Sequence, residues 1–138
     1  MKFTVLNTVP ETYLDQIMEL YKSASWTVDR KRDDVKPMLA NSDVTIGLCE
    51  EATGKLVAFA RVLTDFTYKA FIYDVIVLPE HRGHGVGKQL MEALINHPKL
   101  KDVLHQDLYC LEALVPFYNK WQFEFLPEEF VVMRRTTS

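Results

Sequence analysis

Between Pro79 and Gly87 the chain reads PEHRGHGVG, which holds three of its five glycines, two histidines and an arginine just before the helical run VGKQLMEAL. The first N–H groups of a helix have no acceptor within it, and the helix dipole is positive at that end. Glycines at such a place let an anion reach the backbone, and Arg82 adds a permanent charge that pairs well with phosphate oxygens. The chemistry these residue types can do is phosphate binding. Two common patterns for it fail here. A Walker loop needs GxxxxGK followed by serine or threonine, but the glycine before Gly87-Lys88 is misplaced and Gln89 follows, so no hydroxyl serves a metal-bound nucleotide. A dinucleotide fingerprint needs GxGxxG, and GHGVG has another spacing and lies mid-chain after several strands. What the residues do match is R-x-x-G-x-G, as RGHGVG from Arg82 to Gly87.

The elements that position this loop follow from periodicity. KFTVL alternates as a short strand, and Leu14, Ile17, Met18 and Tyr21 recur at helical spacing between Pro10 and Ser23. WTVDRKRDDVKPMLANS predicts a loop and a second, shorter helix containing Pro37. Three apolar, β-branched runs come next, VTIGLCEE, KLVAFARVLTD and FIYDVIVLP, with EATGK as the turn between the first two. After the loop, Val86, Leu90, Met91 and Leu94 line one face of a helix that Pro98 stops. VLHQDLYCLEA predicts a strand, LVPFYNKW a short helix, and FEFLPEEFVVMRR two closing strands. Helices between and after a block of strands predict an α/β fold around one mixed, mostly antiparallel central sheet flanked by helices.

In this setting RGHGVG resembles the acyl-CoA pyrophosphate loop of the GNAT N-acetyltransferase family. The strand–loop–helix block YDVIVLPEHRGHGVGKQLMEAL is similar to that family's throughout, PFYNKWQF from Pro116 is similar to its FYxKxGF segment, and the order of elements agrees over nearly the whole chain. The resemblance implies a single GNAT acetyltransferase domain over residues 1–138. It implies acetyl-CoA as co-substrate, with no metal, and a fourth and fifth strand that splay apart around the pantetheine arm. Main-chain groups near Ile76 and Val77 would hold that arm, and the backbone N–H groups of Arg82, Gly83, His84, Gly85, Val86, Gly87 and Lys88 would bind the pyrophosphate. Two residues depart from the pattern. Gln122 replaces the glycine of KxGF, and Leu111 stands where many members carry an asparagine.

Acetyl transfer to an amine requires a neutral nucleophile, a stabilised oxyanion and a proton for the departing thiolate. A phenol can supply that proton, because its pKa lies near or above that of the thiol it protonates. The resemblance implies Tyr118 in this role, with Tyr109 as a substitute. Asp74 interrupts an otherwise apolar strand, where a carboxylate must face a cleft or a partner; it is the first candidate for the base or amine-binding group. Glu112 is the second, and an ordered water chain is a third route. His81 and His84 are read as exposed loop residues, and His97 and His105 as structural or exposed. The acceptor pocket, built by the first helices, their loop and the ends of the middle strands, nominates Trp26, Arg30, Arg32, Arg61, Asp65, Tyr68 and Tyr73. The acceptor is a small-molecule amine by default or a protein amine, and the sequence does not choose.

Bulk properties bound the alternatives. A chain of 138 residues can bury a core as one domain. A net charge of −3 with both signs scattered argues against nucleic acid or an anionic membrane as partner. No stretch reaches the ~20 apolar residues of a membrane span. Cys49 and Cys110 read as reduced core thiols, which with the absence of a signal-peptide pattern predicts a cytoplasmic protein. Family members are often dimers, so a homodimer is expected by analogy alone. Against the enzyme stand a non-catalytic acyl-CoA-binding or interaction module on the same fold, and a nucleotide-binding protein.

Overall fold

The computed structural model describes residues 2–137. The chain forms two compact units, Met1–Leu108 and Tyr109–Ser138. The first unit contains a five-stranded sheet in the order β1-β2-β3-β4-β5, made of β1 (Phe3–Leu6), β2 (Val44–Glu50), β3 (Leu56–Thr64), β4 (Lys69–Val77) and β5 (His105–Leu108). The first four strands run antiparallel to their neighbours, and β5 is parallel to β4. The sheet is thus mixed and mostly antiparallel, as the sequence predicts.

Three helices accompany it: α1 (Leu14–Lys22), α2 (Arg32–Ala40) and α3 (Val86–Ile95). The five residues Leu56 to Ala60 of β3 are buried in succession, so both faces of the sheet are covered there. α1 packs on β3 through Leu14, Ile17, Leu20 and Tyr21, while α3 packs across β2 and β3 through Val86, Leu90, Met91 and Leu94. These are the stripes that the 3.6-residue period marks. Pro37 sits inside α2, where it removes one backbone donor, and α2 ends three residues later.

β3 and β4 carry the irregularity that matters for function. Their register runs Phe59 opposite Ile76 and then Arg61 opposite Tyr73, so β4 has one residue too many between the pairs. This bulge contains Asp74, whose φ is 58°. A bulge bends its strand and re-aims a side chain.

The second unit holds a single-turn 3-10 segment, Glu112–Leu114, followed by α4 (Val115–Asn119). The two closing strands expected from FEFLPEEFVVMRR do not form, since no strand is present among residues 124–137. An alternating apolar pattern makes a strand only where a neighbour accepts its N–H and C=O groups. Here the segment has no strand partner and leaves Phe125, Leu126, Phe130, Val131, Val132 and Met133 exposed.

Candidate active site

The loop forms as its glycines require. β4 ends at Val77, a 3-10 turn covers Pro79–His81, and α3 begins at Val86. Gly83 and Gly85 take φ of 82° and 76°, a region that favours glycine. A Cβ built on either meets no protein atom within 4 Å, so the open side of the loop lies beyond the glycines. The helix's internal bonds start when the Gln89 N–H reaches the Gly85 carbonyl at 3.1 Å. The N–H groups of Val86, Gly87 and Lys88 are therefore the unspent donors of the first turn. Arg82, Gly83, His84, Gly85 and Lys88 are exposed, Gly87 is half-buried, and Val86 is anchored in the core. Arg82 donates from Nε to the Val77 carbonyl at 3.3 Å, which ties its charge to the end of β4. These residues fit an anion with several phosphate oxygens: open backbone donors, a fixed guanidinium, and no carboxylate within the loop after Glu80.

Next to the loop, β4 offers an open edge. β5 pairs only with Lys69 to Ile72, so from Tyr73 to Val77 the side of β4 away from β3 has no strand beside it among the described residues. Ile76 is buried and Val77 half-buried on this stretch.

The bulge turns the Asp74 carboxylate toward a cluster drawn from four parts of the first unit. Asp74 Oδ2 accepts hydrogen bonds from Arg30 Nη1 at 2.5 Å, Arg61 Nε at 2.7 Å and the Tyr21 hydroxyl at 2.9 Å. Its side chain is only 4% exposed. Burial pushes its proton affinity up, but the hydrogen bonds and charges of Arg30 and Arg61 outweigh that and hold its pKa below the usual 3.8. The same burial, reinforced by the Asp74 charge, drives the Tyr21 phenol well above its ordinary value. Arg30 lies over the Tyr21 ring and Arg61 over the Tyr73 ring, at 4.9 and 4.8 Å. Tyr73 also stacks on Phe71.

Of the acceptor residues that the sequence nominates, Arg30, Arg61 and Tyr73 meet here. The others do not join them through any described contact. Arg32 pairs with Asp15 at the surface, and Asp65 caps its own turn by accepting the N–H groups of Thr67, Tyr68 and Lys69. Trp26 and Tyr68 are exposed. Tyr21 was missed as a cluster member because its position on the apolar face of α1 reads as core, and only its hydroxyl hints at a partner.

In the second unit Tyr118 is buried, with Phe117 and Phe123 packed edge-on against its ring. Burial, with a contribution from Cys110, pushes its pKa up to about 12. Glu112 is exposed. The left-handed turn that the family's glycine would make is made by Gln122, at φ 66°. Two expectations are corrected. His81 is buried rather than exposed, since the turn after β4 folds it against Glu50 (3.3 Å) and Phe3. Cys110 is exposed rather than in the core, while Cys49 is buried as expected. His97 is structural, its Nε2 lying 3.2 Å from the Asn7 carbonyl oxygen. Among the described residues there is no cluster of three or more potential metal ligands, and no helix is long and apolar enough to cross a membrane.

The fold is a mixed five-stranded sheet with a bulged fourth strand, an open β4 edge and a glycine loop at the start of α3. The sequence profile of the Acetyltransferase (GNAT) family matches residues 12–123, running through both units, and the chain belongs to that family. The uncharacterized N-acetyltransferase ycf52 of Pyropia yezoensis is 34% identical over 112 residues, covering 80% of this chain and 64% of that protein. The chain thus spans less than two thirds of that relative's length. A solved protein assigned to the GNAT family from Xanthomonas campestris pv. campestris aligns with a TM-score of 0.83 at 28% identity, over 99% of this chain and 94% of that one. AAC(6')-Iy, solved with the bisubstrate analogue CoA-S-monomethyl-acetylneamine, shares the fold at a TM-score of 0.75 and 18% identity, with both chains covered in full.

Proposed function

We propose that the chain is a single acetyltransferase domain that moves the acetyl group of acetyl-CoA to a primary amine by direct attack in a ternary complex. The observation that carries this reading is the loop: Gly83 and Gly85 at positive φ, unspent first-turn donors of α3, and Arg82 fixed at the end of β4. The backbone from Arg82 to Lys88 binds pyrophosphate, and the open edge of β4 at Ile76 and Val77 accepts the pantetheine arm as a neighbouring strand would. A structural neighbour that holds a CoA-based bisubstrate analogue supports the same use of the fold.

In this reading acetyl-CoA supplies the activated acyl group and the chain's residues supply position and protons. The amine nitrogen forms a bond to the thioester carbon, the C–S bond breaks, and Tyr118 protonates the departing sulfur. A buried phenol with a pKa of about 12 is fully protonated at neutral pH and is available as that donor. Asp74, with its lowered pKa, is a poor proton acceptor. We assign it not the base role but that of anchor on the acceptor side, where it holds Arg30 and Arg61, and the amine gives up its proton to water.

The test is an assay of acetyl-CoA against a panel of primary amines, reading free CoA thiol. Thiol release with at least one amine is expected. Tight acetyl-CoA binding without turnover on a broad panel, with Tyr118→Phe indistinguishable from wild type, would point to a non-catalytic acyl-CoA-binding module. Failure to bind acetyl-CoA would sink both readings, and ATP binding in its place would favour a nucleotide-binding protein.

A further inference from the structure

Asp74 is the one carboxylate that pairs with Arg30 or Arg61 among the described residues. Two arginines and one aspartate leave the cluster with one surplus positive charge, and Tyr21 stays neutral. The surplus is not bathed in water, because the side chains of Arg30 and Arg61 are 30% and 12% exposed. All three bonds to Asp74 converge on the single oxygen Oδ2, so the two guanidinium groups stand side by side. Adjacent cations in a partly dry site repel each other, and a second anion would relieve the repulsion.

The donors for that anion are present. Arg61 uses Nε on Asp74, and its two Nη groups have no described acceptor. Arg30 uses Nη1 on Asp74 and on the Met38 sulfur, and its Nη2 and Nε have none. Each guanidinium also lies over a tyrosine ring, Arg30 over Tyr21 at 4.9 Å and Arg61 over Tyr73 at 4.8 Å, which helps hold it in place. The cluster also lies at the bulge where the open edge of β4 begins.

We infer that the acceptor carries a carboxylate in addition to its amine, and that Arg30 and Arg61 grip this carboxylate. A carboxylate has one charge and two oxygens, which matches the surplus and the paired donors; a phosphate dianion would exceed it. Asp74 is then a positioning residue that holds the two arginines together. The inference rests on the acetyltransferase reading and narrows its acceptor to amino acids and related amino carboxylates, rather than neutral amines or protein lysines.

Matched acceptors test it without any mutation: 4-aminobutyrate against 1-aminobutane, and L-phenylalanine against L-phenylalaninamide, each with saturating acetyl-CoA. The carboxylate member of at least one pair is expected to show kcat/KM at least tenfold above its neutral partner. In Arg61→Gln that advantage should shrink to under threefold through a rise in KM for the acceptor, while KM for acetyl-CoA stays within twofold. Arg61→Lys should restore part of it. Neutral members used as well as or better than the carboxylates would overturn the inference and leave the acetyltransferase reading standing. If no member of either pair is acetylated although acetyl-CoA binds, titration calorimetry of the four amines onto the CoA-bound protein decides. Binding of the carboxylate members alone supports the inference, and equal or absent binding overturns it. Failure to bind acetyl-CoA overturns the parent reading, and this inference with it.

Discussion

At Asp74 a left-handed φ of 58° and a buried charge coincide, and each depends on the other. Aspartate is one of the few residues enriched at such φ, and the conformation delivers its carboxylate to two arginines. Asp74→Asn keeps the shape and removes the charge, leaving two adjacent cations uncompensated. It should cost roughly 2–4 kcal/mol in chemical denaturation, the lower end being favoured by the partial exposure of Arg30. Asp74 binds its proton more weakly in the folded protein than unfolded. Its contribution to stability is therefore complete above the unfolded pKa of 3.8 and is lost as pH falls through the lower folded value. Wild type should show a steep loss of unfolding free energy below about pH 4 that flattens in Asp74→Asn. Tyr118→Phe keeps the ring packing against Phe117 and Phe123 and deletes only the hydroxyl. In the acetyltransferase reading kcat should drop by about 100-fold, with KM for acetyl-CoA little changed and the melting temperature within a degree or two.

The loop and the turn after α4 are decided at the level of the element. Gly85 precedes α3 at φ 76° with free space above it, so a side chain there harms whatever approaches the loop more than it harms the core. Gly85→Val is expected to raise KM for acetyl-CoA tenfold or more while far-UV circular dichroism stays native; an unchanged KM would argue against pyrophosphate at this loop. Gln122 shows the converse. The family's glycine is absent, yet the backbone still adopts φ 66°, with the Gln122 N–H bonded to the Asn119 carbonyl at 3.0 Å. A left-handed residue other than glycine costs about 1–2 kcal/mol, and glycine's greater freedom when unfolded returns part of that. Gln122→Gly should therefore stabilise the protein by about 0.5–1 kcal/mol, read as a rise in melting temperature. Helices α1 and α3, strands β1 to β4 and the loop between them were legible because their periods and glycines are local signals. The closing strands were not. Their apolar pattern is present, but a strand also needs a partner, which no local pattern specifies.

Across the molecule stability is unevenly spread. Strands β2 and β3 are paired on both sides over most of their length, β4 is paired along β3 and over Lys69–Ile72 with β5, and all three lie under α1 and α3. Between residues 124 and 137 the one backbone hydrogen bond described is from the Phe130 N–H to the Pro127 carbonyl. Amide exchange should follow this division, slow in β2 to β4 and fast through 124–137, as mass spectrometry of deuterated fragments would reveal. Protection in the last segment equal to that of β3 would mean that its exposed apolar side chains, up to Met133 at 87%, are covered in solution.

Sequence alone determined the family, the glycine loop at the start of α3, the strands that surround it and the residue types at each candidate site. Those features are written in neighbouring residues, whose φ preferences and side-chain periods act locally. The tertiary structure decided which candidates meet. Asp74, Arg61, Arg30 and Tyr21 lie up to 53 positions apart, and no spacing rule links them. A one-residue bulge in β4 turns Asp74 inward to face α1 and the loop before α2, and that single turn makes an isolated acid in an apolar strand the centre of a charged cluster. Register between strands depends on the packing of the whole sheet, so its consequence for Asp74 could be read only from the folded chain.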